Sequence, residues 1–418
     1  MIFFTTLGVW LLGFGGFTLF VDPYDMLDTP DIDGFNARKT RAHEDGYRVR
    51  VGHRLLTTDA GTIIMGSSRV ADGFPRDLPD FEGGWENLGM AGTSAYELAN
   101  ASTLAARNDN INCVMIGMDL REFTTGTNTQ ATYWITPLSG DHPAISLTKL
   151  ALSPHAFARA LQTVIDNAND GQDDKWVHAY DEDRLRTRFE EEITKRYRFY
   201  ANYEYDPERV DFLLRGVDAM LAAGKQVVMF IHPVHVWQEE AAQHVGANEE
   251  EVAFRRDVAA HIAARPELAD ANNACFAGPA LQVWDFGGFN DVALTAPPAE
   301  DGLDPNPWYY VPAHYRPTLG AAILDRISGV EREAPVDANF GQRLTPENVE
   351  TLLTGIQTRR QAWLNSDDEW MTYLTNAFAH LDENPPEPEA SPRVYLSDID
   401  RRDLEARIRP ILLEHGAE

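Results

Sequence analysis

The chain has 418 residues, of which 44% are hydrophobic and 10% aromatic. That content excludes a disordered chain and can bury a core across one large or two ordinary domains. Asp and Glu number 65 against 36 Lys and Arg, a net charge of −29, which excludes a nucleic-acid binder, because such a protein needs a basic footprint. The same balance disfavours an anionic membrane surface as partner for the body of the chain.

From Met1 to Val21 no side chain is charged, and about 20 apolar residues suffice to span a bilayer. No basic n-region or small-residue cleavage site marks a secretory signal peptide, so this run reads as an uncleaved anchor, residues 1–21, stopped by Asp22-Pro23. An extended lead-in to Asn36 and a first helix over 38–56 follow. Thr62-Ile63-Ile64-Met65 reads as a buried strand that breaks at Gly66-Ser67-Ser68-Arg69 into a helix start. In an open α/β sheet ligands bind beyond the carboxyl ends of the strands, which makes Ser68 a candidate nucleophile. The competing reading is a serine that caps the next helix.

A short strand at Trp85–Leu88 leads into a glycine loop ending at Gly92, and a helix is expected over 95–107. A further buried strand over 112–117 closes on Met118-Asp119. Between about 124 and 200 the pattern loosens around Pro137, Pro143 and Pro154, as in an insertion covering one side of the sheet. Helices over 184–197 and 208–223 precede the strand 225–231, which ends in His232-Pro233-Val234-His235. Another strand covers 282–286, and Trp308 to Arg316 leads into a helix over 318–327. Strands alternating with helices predict a doubly wound parallel sheet, an α/β fold with an α/β/α layering, over 22–330. The tail, 331–418, reads as a helical extension, with Thr345 as cap and Pro346 at the first helical position, a Pro/Glu linker at 384–392 and a last helix over 397–414. Cys113 and Cys275 show no CxxC or zinc spacing, and a single disulfide between them leaves the compartment open.

Four pieces stand in order: Gly66-Ser67-Ser68, Asn87 to Gly92, Gly117-Met118-Asp119 and His314. Together they resemble the four blocks of the SGNH (GDSL-like) hydrolase superfamily, and most of all its membrane-anchored branch of alginate O-acetyltransferase-like and teichoic-acid D-alanyl transfer proteins. The resemblance spans roughly residues 22–329 and implies a flavodoxin-like three-layer α/β/α fold. It implies Ser68 as nucleophile, His314 as base, and an oxyanion hole at Ser68, Gly92 and Asp119. It also implies a polysaccharide or acyl-donor partner protein, no cofactor and no metal, and an inner-membrane protein with its body facing the periplasm or cell exterior.

Two positions depart from the family's pattern. Asp119 stands where the third block has asparagine, and an ionised carboxylate cannot donate to an oxyanion; Arg69 is its candidate partner, or else a substrate contact. Val311 stands where an acid three residues before the histidine orients the imidazole, so Asp304, Asp285 or Asp291 must reach in from nearby loops, or a backbone carbonyl must serve. His232 and His235 at a strand end, with Trp308 and Tyr309 beside the histidine, are candidate substrate contacts, the aromatics for sugar rings. The sequence thus predicts an anchored esterase or O-acyltransferase of envelope or secreted polysaccharide. The alternative is an impaired SGNH-like protein that binds glycan or scaffolds an envelope assembly complex.

Overall fold

Five apolar runs become the parallel strands of a single sheet: β1 Thr62–Gly66, β2 Trp85–Gly89, β3 Cys113–Met118, β4 Gln226–Ile231 and β5 Leu281–Asp285. The computed structural model describes residues 8, 11–40, 42, 46–75, 78, 81, 83–126, 129–169, 184–265, 275–300, 305–330, 339–387 and 398–416. Every residue of the first four strands is buried. Such uniform burial requires helices on both faces, which is why these segments read as continuous apolar runs and not as alternating ones. A hairpin of β6 Tyr309–Val311 and β7 His314–Tyr315 stands apart, and β8 Gln342–Arg343 adds an antiparallel edge to β5. The sheet order is β2-β1-β3-β4-β5-β8.

The helices in chain order are α1 Gly16–Val21, α2 Tyr47–Thr57, α3 Ser68–Gly73, α4 Ala95–Arg107, α5 Pro143–Ala151, α6 Pro154–Ala168 and α7 Leu185–Ala201. They continue as α8 Pro207–Ala222, α9 Val236–His244, α10 Asn248–Ala263, α11 Pro317–Ser328, α12 Val349–Leu364, α13 Glu369–Glu383 and α14 Asp398–Glu414. Proline occupies the first turn of α5, α6, α8 and α11, where its missing N–H costs no helical bond. Ser94 and Glu97 form a reciprocal capping box on α4. Right-handed crossovers set α4 beside α8, and α11 against α3. The contact between α11 and α3 is so close that a Cβ on Gly320 would lie 1.8 Å from the Gly73 carbonyl oxygen. The result is a three-layer α/β/α fold around a largely parallel sheet.

Several boundaries differ from the sequence expectation. The first helix begins at Tyr47, not at 38, because Arg38 and Thr40 are drawn to the end of α6: the Arg38 backbone N–H donates to Asn167 at 2.9 Å and the Thr40 hydroxyl to Asp166 at 2.9 Å. Thr345 does not cap α12. The Asn348 side chain accepts from the Thr345 N–H at 2.8 Å and donates to the Arg343 carbonyl at 2.6 Å, a local turn that delays the helix to Val349.

The tail is built into the sheet layers. Its β8 extends the sheet, α12 lies against α10, α13 against α7 and α9, and α14 across α4 and α8. The insertion packs on the N-terminal segment: Phe14 and Phe17 lie 4.0 and 5.5 Å from the Phe157 ring of α6. Tyr24, Met26, Val49, Leu150 and Ala156 form a small second apolar cluster there. Among the described residues no helix is long and apolar enough to cross a membrane. The helical run from Leu11 to Val21 extends about 16 Å, roughly half of a bilayer's hydrocarbon, and residues 1–7, 9 and 10 lie outside the described residues. Cys113, the first residue of β3, is joined to Cys275 with Cα atoms 6.3 Å apart, inside the range a disulfide needs.

Candidate active site

Strand β1 lies between β2 and β3. The chain leaves β1 toward β2 on one side and leaves β3 toward β4 on the other, so the connections depart on opposite faces. The gap left between them at the carboxyl ends is the switch-point crevice where open sheets bind ligands. Ser68 follows β1 and Asp119 follows β3. At Gly66, with φ of +154°, a Cβ would approach Val70 to 2.5 Å and the Gly117 carbonyl oxygen to 2.9 Å. Only glycine lets this turn close.

The two serines divide the roles that the sequence left open. Ser67 is the cap of α3, its Oγ accepting from the Arg69 N–H at 3.2 Å. Ser68 is thereby left at the first helical position, its Oγ 2.9 Å from Nε2 of His314. His314 begins β7, and the hairpin tip before it is tied down twice. The Pro312 carbonyl accepts from the His235 N–H at 3.0 Å, and the Ala313 carbonyl accepts from Arg69 Nε at 2.7 Å. Burial, and then the Arg69 and Arg196 guanidiniums, pull the His314 pKa down to about 3, against Glu192 and Asp119, which pull it up. The imidazole is neutral at physiological pH, and a neutral ring whose Nε2 faces a hydroxyl can accept its proton.

Asp119 is held by Arg69, Nη1 to Oδ1 at 3.1 Å, with side chains 12% and 6% exposed. Its carboxylate also accepts from the Ser67 hydroxyl and the Arg121 N–H, each at 3.4 Å. Burial works to raise its pKa, but Arg69, His232 and Arg121 outweigh it and the pKa is lowered. Asp119 is therefore ionised and offers no proton to an oxyanion. Arg69 is buried and spans three segments at once: the serine turn that carries it, the end of β3 and the histidine hairpin. These contacts make it a brace.

The glycine loop after β2 is fixed as firmly. Met90 N–H donates to the Gly66 carbonyl at 2.7 Å, and Arg48, paired with Glu97 in the interior, donates to the carbonyls of Ala91 and Gly92, each at 3.1 Å. Gly92 has φ of +62°, and a Cβ there would come within 3.0 Å of Gln130 Nε2.

The remaining candidates do not join the serine–histidine pair, although His232 acts electrostatically on Asp119. The rings of His232 and His235 point inward, with burial pulling them to about 3 and about 4. His232 Nδ1 meets the Tyr315 hydroxyl at 2.9 Å; His235 caps α9 and meets the Thr295 carbonyl at 2.7 Å. Tyr309 is fully buried against His235, and Trp308 is half-buried. Asp285 is committed to Arg255 at 2.7 Å, Asp291 is exposed, and Asp304 lies outside the described residues. No group of three His, Cys, Asp or Glu among the described residues could hold a metal ion. Sequence reasoning missed Arg48, Gln130 and Arg196: Arg48 meets Ala91, Gly92, Glu97 and Gln130, each 43 or more residues away, and Arg196, bonded to Glu192 four residues away, bears on His314 only through the fold. No protein-family model matches the chain, and no curated protein matches it.

Proposed function

We propose that the chain is an SGNH-type serine esterase or O-acyltransferase acting on acyl esters of envelope or secreted polysaccharide. The observation that carries this reading is the 2.9 Å approach of Ser68 Oγ to His314 Nε2 in the switch-point crevice. His314 takes the Ser68 proton as Oγ attacks the ester carbonyl carbon, since serine alone is a weak nucleophile. The Ser68 and Gly92 N–H groups hold the resulting oxyanion; Ser68 lies in the first turn of α3, where N–H groups have no helical partner. Collapse breaks the carbon–oxygen bond, and His314 returns the proton to the leaving alcohol. Water or a sugar hydroxyl, deprotonated by His314, then attacks the acyl carbon, and His314 returns that proton to Ser68 Oγ as the bond between Oγ and the acyl carbon breaks.

The same reading places the body outside the cytoplasm on an N-terminal anchor. Two observations support it. A Cys113–Cys275 disulfide belongs in an oxidising compartment. Exposed Phe20, Ile145, Leu161 and Ile165 lie on α1, α5 and α6 and exposed Leu152 just past the end of α5, the elements at the apolar N-terminal run, and apolar exposure of that kind marks a membrane or partner surface.

The test is turnover of a chromogenic acetyl ester by the detergent-solubilised full chain, with acyl-Ser68 sought by mass spectrometry. Ser68→Ala and His314→Ala should each lower the rate at least about 10³-fold; unchanged rates in both would sink the reading. A second reading, a non-catalytic glycan-binding or scaffold protein, draws on the ionised Asp119 and on Val311 opposite His314. Glycan binding without acyl transfer from any donor would favour it, and an acyl-Ser68 adduct would exclude it.

A further inference from the structure

Of the oxyanion donors that the resemblance implies, Asp119 is ionised and held by Arg69, so its side chain has no proton to give. The glycine loop after β2 carries another amide in a position to serve. That loop is organised around Arg48, which is 2% exposed. Nε and Nη2 of Arg48 each donate to Glu97, and Nη2 donates also to the Gly92 carbonyl at 3.1 Å. Nη1 donates to the Ala91 carbonyl at 3.1 Å and to Gln130 Oε1 at 2.9 Å. A guanidinium is a donor only, so the oxygen of the Gln130 amide must be the atom that faces it, and the nitrogen is fixed on the far side.

Two amides thereby stand side by side on one guanidinium nitrogen. In a planar trans peptide the C=O and N–H bonds point opposite ways, and no peptide bond among the described residues is cis. With the Ala91 carbonyl turned inward to Arg48, the Gly92 N–H is turned outward. The Gln130 amide is planar too, and one of its Nε2–H bonds lies opposite the inward-turned oxygen, parallel to the Gly92 N–H. The two groups are adjacent, because Nε2 lies 3.0 Å from the place where a Cβ on Gly92 would stand. Glycine at 92 is thus required by Gln130 as well as by its φ of +62°. Gln130 is exposed, and among the described residues its Nε2 donates to no acceptor.

Outward here is toward the serine. The Met90 N–H donates to the Gly66 carbonyl at 2.7 Å, which ties the exit of β2 to the exit of β1. Ser68 follows Gly66, and Gly92 follows Met90, by the same two residues along neighbouring parallel strands.

We propose that the Gln130 side-chain amide is an oxyanion donor, its Nε2–H joining the Ser68 and Gly92 N–H groups on the charge that develops on the ester carbonyl oxygen as Ser68 Oγ attacks. The proposal rests on the esterase reading. Gln130 is then a catalytic residue and Arg48 a positioning residue, and the donor that Asp119 does not provide comes from a side chain oriented by a buried guanidinium. Such preorientation is what makes a donor effective, since nothing has to turn toward the charge as it forms.

The experiment compares Gln130→Ala and Gln130→Glu with the wild-type full chain in detergent. Gln130→Ala should lower kcat for a chromogenic acetyl ester by about 10²-fold, the usual loss for one oxyanion donor, and leave KM unchanged, because the interaction is made only in the transition state. Gln130→Glu keeps an oxygen on Arg48, and with it the loop, but its carboxylate has no N–H; kcat should fall at least as far. An alkylboronic acid gives the second readout. Ser68 Oγ bonds to its boron while the hydroxyl proton passes to His314, and the tetrahedral anion so formed, a transition-state analogue, should bind both variants about 10²-fold more weakly than wild type. Wild-type activity in Gln130→Glu would make Gln130 a holder of the loop, and an unaltered kcat in Gln130→Ala would exclude it from the chemistry; either overturns the proposal. A wild-type protein that neither turns over the ester nor takes the boronate at Ser68 removes the esterase reading and the donor with it, whereas turnover indifferent to residue 130 removes the donor alone.

Discussion

Replacing Arg69 by methionine tests the brace on which the candidate site depends. The guanidinium lies 3.1 Å from Asp119 and 2.7 Å from the Ala313 carbonyl, and its side chain is 6% exposed. Removing one partner of a buried pair costs about 3–5 kcal/mol, because the remaining charge is left uncompensated. The lost bond to Ala313 overlaps with that cost, so about 3–5 kcal/mol is expected for Arg69→Met. Adding Asp119→Asn removes the orphaned charge and keeps a side chain able to cap the turn at Leu120. The double variant should recover about 1–3 kcal/mol, the usual coupling of contacting groups. Urea unfolding of the full chain, disulfide intact and followed by tryptophan fluorescence, measures the cycle. Ester hydrolysis by each variant measures the geometry: freeing the Ala313 tip lets His314 drift, and a misplacement of 1 Å costs on the order of 10²-fold in rate. The Asp119 pKa is lowered from 3.8, so this stabilisation is present above pH 3.8 and disappears as pH falls through the lower folded value. A loss under about 1 kcal/mol in Arg69→Met, with no recovery on adding Asp119→Asn, would refute the brace.

The low pKa of His314, about 3 where 6.5 is ordinary, keeps the proposed base neutral in acid. Ester kcat/KM should therefore hold its plateau at pH 5, where a histidine of ordinary pKa would retain about 3% of its neutral form; half-loss near pH 6.5 would contradict the electrostatics. Gly92→Ala forces a side chain into φ of +62° at about 1–2 kcal/mol. By shifting a proposed oxyanion donor it should lower ester turnover about 10²-fold, and an unaltered rate would remove Gly92 from the site. Cys275→Ser, which removes the bond to Cys113, should lower the unfolding free energy by about 2–4 kcal/mol, with the wild-type protein under reducing agent showing the same loss.

Strands β1 and β3 to β5 were legible because each is a short buried run ending in a glycine or polar turn, and a doubly covered sheet demands that pattern. Strand β8 and the β6–β7 hairpin were not. Two or three residues carry no period, and each of these strands exists because a partner is brought alongside it: Trp284 and Asp285 for β8, and the folding back of Val311 onto His314 for the hairpin. The proximity of Ser68 and His314 is a 246-residue separation closed by topology, so the sequence supplied the two residues in order and the fold supplied their distance. The division between Ser67 as cap and Ser68 as free hydroxyl turns on the backbone angles of Ser67, which no residue preference encodes, since serine suits both positions.

Asp119 is where local reasoning runs against the tertiary arrangement. Taken by itself, a carboxylate at a presumed oxyanion hole is a repulsive charge. Bound to Arg69, it becomes one end of a chain of contacts running from the β3 turn through the serine turn to the Ala313 carbonyl, and its negative charge is what holds the guanidinium in place. The same guanidinium then keeps His314 unprotonated by adding its positive charge to the cost of burial. An asparagine at 119 could accept a bond from Arg69 but would leave that buried cation uncompensated, which is costlier than the donor it would provide. Aspartate at 119 and arginine at 69 are thus one device, and neither can be judged for or against catalysis without the other.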